Sequence, residues 1–255
     1  MPRARSLPVV IAEHGELVVE RDRRRATGRI LRAGGMEASY VDLANPAHLE
    51  FDYMRWLRMV LHTARARRIV HVGGGACALP RALAAEDPRG RQEVCEVSAE
   101  VIAIAREHLG LRRAPGLHVR QGDGRVFIAS QPAASWDAVV IDAFVAARVP
   151  HHLVTVEAVG DVARVAPLVL VNVVDDRSAR DVRAIATGVS ASFPHVWALG
   201  AQAGNTIVVG QTTLPSLDRI AALAAADPSP PRVTTPERLA QLTATTPAPR
   251  DAETR

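Results

Sequence analysis

Residues 68–75 read Arg-Ile-Val-His-Val-Gly-Gly-Gly, and residues 92–97 read Gln-Glu-Val-Cys-Glu-Val. A short apolar run closing on three glycines, a helix-length stretch, and a second apolar run closing on an acid form a strand–helix–strand unit. The alternation continues down the chain. Strands are expected at Leu117–Gln121, Trp136–Ile141, Val169–Val174, His195–Leu199 and Thr206–Gln211. Helices are expected at Ala76–Glu86, Ala99–Leu109, near Arg125–Ser130, and over His152–Ala166 and Ala179–Ser192. Strands separated by helices of this length predict a seven-stranded, mostly parallel, doubly wound sheet.

Upstream, Leu17–Glu20, Arg29–Leu31 and Ala38–Leu43 surround the turn signal Gly34-Gly35 and suggest a small β-meander. Phe51, Met54, Leu57 and Leu61 recur at helical spacing, with Asn45 as candidate N-cap and Pro46 as the first helical residue. Downstream, proline becomes frequent. One short helix is expected at Pro236–Leu242, with Thr234 and Glu237 spaced as a capping box, and disorder is expected beyond Thr243. The expected domains are 1–45 (small β-domain), 46–212 (central α/β domain) and 213–255 (helical segment with a partly disordered, Pro-rich tail).

Composition excludes several chemistries. All 31 basic residues are Arg, so no lysine Schiff base, P-loop lysine or lysine general base is possible. Aromatic residues are 4% of the chain, too few for a base-stacking nucleic-acid surface, and the short Arg clusters at 21–25 and 65–68 read as solvated faces. Cys77 and Cys95 make neither a disulfide framework nor a metal site, and no metal is expected. No apolar run is long enough to span a bilayer, and no signal-peptide core follows Arg3 and Arg5. A cytoplasmic protein without membrane or nucleic-acid partners is expected.

In an open α/β sheet, ligands bind beyond the carboxyl ends of the strands. The residues there are Gly73-Gly74-Gly75, Glu96, Gly122-Asp123-Gly124 and Asp142. The glycines let the backbone approach a ligand closely. Glu96 can accept ribose hydroxyls, and Asp123 suits an exocyclic adenine amine. Asp142 stands where a transferred group would meet its acceptor. The loop and Glu96 fit NAD as well as an S-adenosyl donor, but the four features together favour the S-adenosyl donor.

Ile69–Gly75, Val94–Val97, Gln121–Gly124 and Trp136–Asp142 together resemble the spermidine synthase family, the polyamine aminopropyltransferases. Leu49–Tyr53 and Gly204–Val209 are similar to further segments of that family. The resemblance spans about residues 15–212. It implies a Rossmann-like class I methyltransferase fold with a small N-terminal β-domain that helps form a homodimer. It implies a transferase that uses S-adenosylmethionine or its decarboxylated form to alkylate a small-molecule acceptor. Glu96 would bind the ribose. Asp123 with Gly124 would face the adenine. Asp142 would position and deprotonate the nucleophile, and Tyr53 would line the acceptor side. The sequence departs from the family at Ala76, Val145, Arg55 and Ser98, where that pattern carries acids. Arg81, one turn beyond the altered glycine loop, is a candidate to meet a donor carboxylate, and Arg55 to mark a change of substrate charge. The alternatives are an inactive nucleotide-binding scaffold and an NAD-linked oxidoreductase. His71 and the two cysteines read as packing residues, and His151-His152 as a surface pair at a helix start.

Overall fold

The computed structural model describes residues 9–112, 114–201 and 203–251. Its first element is an antiparallel meander of β1 (Val9–His14), β2 (Leu17–Arg21), β3 (Gly28–Ala33) and β4 (Met36–Asp42), paired in that order. Ala33 faces Met36 across a two-residue turn in which Gly34 and Gly35 both have positive φ, 56° and 79°. That geometry matches the twist of a hairpin and is open to glycine at little cost. Leu17, Val19, Leu31 and Val41 are buried and join the core beneath the larger sheet. The meander is therefore held by packing as well as by its own ladder.

The central sheet contains β5 (Arg68–Val72), β6 (Arg91–Glu96), β7 (Leu117–Gln121), β8 (Ala138–Ile141), β9 (Leu168–Asp175), β10 (His195–Gly200), β11 (Gly204–Gln211) and β12 (Arg232–Thr234). Its spatial order is β7-β6-β5-β8-β9-β11-β10-β12. The first five run parallel, and β11 and β10 return antiparallel as a hairpin. The strand order reverses between β5 and β8, which opens a crevice at their carboxyl ends. Toward the edge β6 and β7 carry Gln, Glu, His and Arg, while β8 and β9 are almost wholly apolar because helices cover both faces. These are α1 (Asp52–Thr63), α2 (Ala78–Glu86), α3 (Ala99–His108), α4 (Gly124–Ser130), α5 (Val156–Val165) and α6 (Arg180–Ser190). Ser98, Asp123 and Thr155 cap α3, α4 and α5 by accepting from Val101, Val126 and Ala158 amides. Two of those caps thus sit directly after strands that end at the crevice.

The seven expected strands are present, and β12 adds an eighth at the edge. Several local expectations are corrected. The first helix begins at Asp52 behind Phe51, not at Pro46. Asn45 instead closes a turn, its side chain accepting from the Ala47 amide. The segment 152–166 divides into a 3-10 turn, His151–Leu153, and α5. Two further elements, α7 (Leu217–Ala225) and α8 (Pro236–Thr243), complete the chain. Thr235, not Thr234, caps α8 by accepting from the Arg238 amide. The stretch after Thr243 is anchored as far as residue 251. Pro249 accepts from the Val156 amide, Asp251 pairs with Arg125, and the Asp251 amide donates to Glu157. A backbone amide and charged side chains on α4 and α5 supply the partners that the tail's own sequence lacks. No helix of the described residues is long and apolar enough to cross a membrane.

Candidate active site

A cavity of about 1200 Å³ lies over the crevice. Its floor is the glycine loop and the ends of β6, β8 and β9; its roof is the N-terminal meander and the segment before α1. Gly73, at the end of β5, has φ +90°, and a side chain there would place its Cβ 2.3 Å from the Asp142 carbonyl. Glycine is what lets β5 and β8 end side by side. Gly124, the first residue of α4, is packed as tightly, because a Cβ there would collide with the Val72 side chain.

Glu96 ends β6 and faces the loop. Its Oε2 accepts from the Gly74 and Gly75 amides at 2.8 and 3.1 Å, and its Oε1 from the Ser98 amide at 2.9 Å. Three backbone donors fix the carboxylate at the cavity wall. Asp123 caps α4 through Oδ1 and meets His152 Nε2 at 2.8 Å through Oδ2. Partial burial works to raise its carboxyl, but the Val126 amide and His152 outweigh that and hold it below the ordinary value.

Asp142 follows β8. Asn172 Nδ2 donates to its Oδ1 at 2.8 Å, and the Tyr53 hydroxyl donates to its Oδ2 at 3.3 Å. Burial outweighs both bonds and raises its carboxyl above the ordinary value. Burial, together with the Asp142 charge, raises the Tyr53 phenol well above its usual range, so Tyr53 stays a donor. Phe51 stacks against Tyr53 with ring centroids 6.0 Å apart. A desolvated carboxylate with both oxygens oriented can take a proton from a bound nucleophile.

The structure therefore gathers Tyr53, Gly73, Gly74, Gly75, Glu96, Asp123, Gly124 and Asp142 around one cavity. Arg81 is not part of its wall. Its guanidinium donates to the Leu109 carbonyl at 2.7 Å, at the carboxyl end of α3, where orphan carbonyls attract a cation. Arg55 is not in the wall either. It forks onto both oxygens of Asp227, at 3.1 Å each, and onto Asp52 and the Glu50 carbonyl. Both arginines, expected to meet ligand charge, are engaged by partners elsewhere in the fold and lie outside the cavity lining. Of the other departures, Ala76 is fully buried and its amide donates to Ser39 Oγ on β4, while Ser98 caps α3. Of the four, Ser98 and Val145 line the cavity.

Asn172 was not anticipated. Its signal was a lone amide inside the apolar strand Leu168–Asp175; it is fully buried. Cys77 and His71 are core groups. Burial, with the Glu96 charge added, pushes the Cys77 thiol to about 12, and burial lowers His71 to about 4 against its bond to Gln92. Among the described residues no group of three or more His, Cys, Asp or Glu could hold a metal ion.

No protein-family model matches the chain. A polyamine aminopropyltransferase of Vibrio vulnificus is 31% identical over 110 residues, which are 42% of this chain and 37% of that protein. The solved structure of a probable spermidine synthase from Corynebacterium glutamicum superposes with a TM-score of 0.86 at 26% identity, covering 96% of this chain and 97% of the other. In sequence and fold the chain is similar to spermidine synthases. The N-terminal meander and the central sheet both fall within that superposition. Human methyltransferase-like protein 13, solved with SAH, shares the fold at 19% identity, with a TM-score of 0.54 over 68% of this chain and 89% of the other.

Proposed function

We propose that the chain is a transferase that moves an aminopropyl group from decarboxylated S-adenosylmethionine onto a small amine. The carrying observation is Asp142, a carboxylate with a raised pKa, oriented by Tyr53 and Asn172 beside the glycine loop. The cavity exceeds the roughly 300–1,000 Å³ of an ordinary ligand site, which suits a donor and an acceptor together. Glu96, fixed by three amides, uses three of about four acceptor positions and keeps one for a ribose hydroxyl. Asp123 would take the adenine amine. Such a donor supplies an alkyl carbon already activated by its sulfonium.

The protein's part is alignment and one proton. An amine arrives as an ammonium and is not a nucleophile until it loses a proton. Asp142 accepts that proton at a carboxylate oxygen, and its raised pKa brings it closer to the amine than an exposed aspartate would be. Tyr53 and Asn172 hold the carboxylate so that its free lone pairs face the cavity. Phe51, the meander and the 143–147 segment shield the site from water, which strengthens the pairing of Asp142 with the ammonium. The exposed edge strand β1, with Val9, Val10 and Ile11 outward, would join two copies into a dimer; a monomeric mass in solution would count against it.

The test is production of methylthioadenosine from decarboxylated S-adenosylmethionine with a panel of primary amines. Turnover is expected, and Asp142→Asn should lower kcat by about 10²–10⁴-fold. Absence of turnover with every amine, or an Asp142→Asn variant as fast as the parent, would sink the reading.

A further inference from the structure

The cavity combines two surfaces of different character. Its inner end is polar, with Asp142, Tyr53 and Asn172 together. Its more exposed part carries apolar side chains: Met36, Val145 and Val174 line the cavity at 58%, 68% and 38% exposure, and Phe51 and Phe144 line it too. Scattered exposed aliphatics need no explanation, but several gathered from separate segments around one opening mark a surface made to be covered. Met36 comes from the first residue of β4, Val145 from the loop after β8, and Val174 from the end of β9.

The charges at this cavity point the same way. Seven carboxylates line it, and no arginine does among the described residues. Most of the seven are already committed. Glu37 pairs with Arg32 and Asp52 with Arg55, Glu50 shares a hydrogen bond with His48 Nε2, and all three carboxylates are more than 40% exposed, so water screens them. Glu96 and Asp123 are held by backbone amides, and Asp123 also by His152. That leaves Asp142 on the inner wall, which accepts only from the neutral Tyr53 and Asn172 side chains and has no cationic partner, and Glu16 at the β1–β2 turn. Glu16 is exposed, so water screens it and an ammonium gains little there. A second ammonium carried into the aliphatic rim would lose hydration without a carboxylate to offset it.

We infer that the preferred acceptor carries one cationic nitrogen, seated at Asp142, and an apolar body that covers Met36, Val145 and Val174, and that it is not an α,ω-diamine. This rests on the transferase reading above, and deepens it by naming the acceptor class.

The test compares 1,4-diaminobutane with pentylamine, which differ only in a terminal ammonium against a methyl group. The kcat/KM for pentylamine is expected to be at least about tenfold higher, a gap of about 1.4 kcal/mol. Val145→Asp is expected to shift that ratio toward the diamine by about as much, and Glu16→Gln to leave it unchanged. A parent protein that prefers the diamine overturns the inference. So does a Glu16→Gln variant that loses kcat/KM for the diamine alone, because Glu16 would then be the second anchor. If neither amine is consumed, the transferase reading fails for these amines. The inference is then read by calorimetry, with each amine titrated into protein saturated with methylthioadenosine. Tighter binding of pentylamine supports it; tighter binding of the diamine, or binding of neither, overturns it.

Discussion

Arg55→Met removes a guanidinium that five contacts hold in place: both Asp227 oxygens, Asp52, and the Leu49 and Glu50 carbonyls. The Arg55 and Asp227 side chains are only 17% and 8% exposed, so this ion pair is largely shielded from water. The variant strands the Asp227 carboxylate with the Ser229 amide as its remaining backbone donor. Breaking a buried pair from one side costs about 3–5 kcal/mol, and the residual exposure of Arg55 places this case near the lower end, at about 3 kcal/mol. The Asp52 arm adds little, because Asp52 is 48% exposed. For a chain of this size about 3 kcal/mol lowers Tm by roughly 6–12 °C. Adding Asp227→Asn should recover about 2 kcal/mol of that loss, because the stranded charge is then gone. Thermal unfolding of the two single variants and the double variant measures all three terms. A parent-like Tm for Arg55→Met, combined with a changed KM for the acceptor amine, would refute the clamp and return Arg55 to the substrate.

His71 gives a pH dependence of definite sign. Its pKa falls from 6.5 unfolded to about 4 folded, so the unfolded chain binds the proton first. The stability it supports is fully present above pH 6.5 and is lost as pH falls toward 4, by roughly 3 kcal/mol. Urea titrations between pH 7 and 4 should show that slope, and His71→Gln should flatten it; an unchanged slope counts against this assignment. Gly73→Ala forces a Cβ against the Asp142 carbonyl at a φ that disfavours alanine. It should destabilise by at least about 2 kcal/mol and reduce methylthioadenosine production, and a variant as stable and as active as the parent would contradict the close approach.

The parallel core was legible because β5, β8 and β9 are short apolar runs and glycines, caps and helix-length segments set the spacing of all five strands. β1 was not, because its side chains stay mostly exposed and leave no alternating pattern. β12 is three residues long and exists through its pairing with β10. The site followed the same division. Acids and glycines at strand ends are fixed by topology, so Glu96, Asp123 and Asp142 could be read from position alone. Arg55 and Arg81 could not, because a long side chain goes where its partners are. Asp227 lies 172 residues from Arg55, and Leu109 lies 28 from Arg81. Asn172 was hidden for the opposite reason, since its role appears only once β9 is set beside β8.

Val145 and Arg148 exchange backbone bonds in both directions, closing a two-residue turn at Ala146-Ala147 with φ of 49° and 63°. Asparagine–glycine is the usual occupant of such a turn, and each alanine held there stores about 1 kcal/mol. The segment that carries Val145 at the cavity wall is therefore held under strain of about 2 kcal/mol. Relaxing those two torsions would relieve the strain, so the two backbone bonds hold this turn less firmly than they would hold one built on Asn-Gly. Softness at this edge of the cavity is encoded in the handedness of two backbone torsions, where composition would have shown only a pair of alanines.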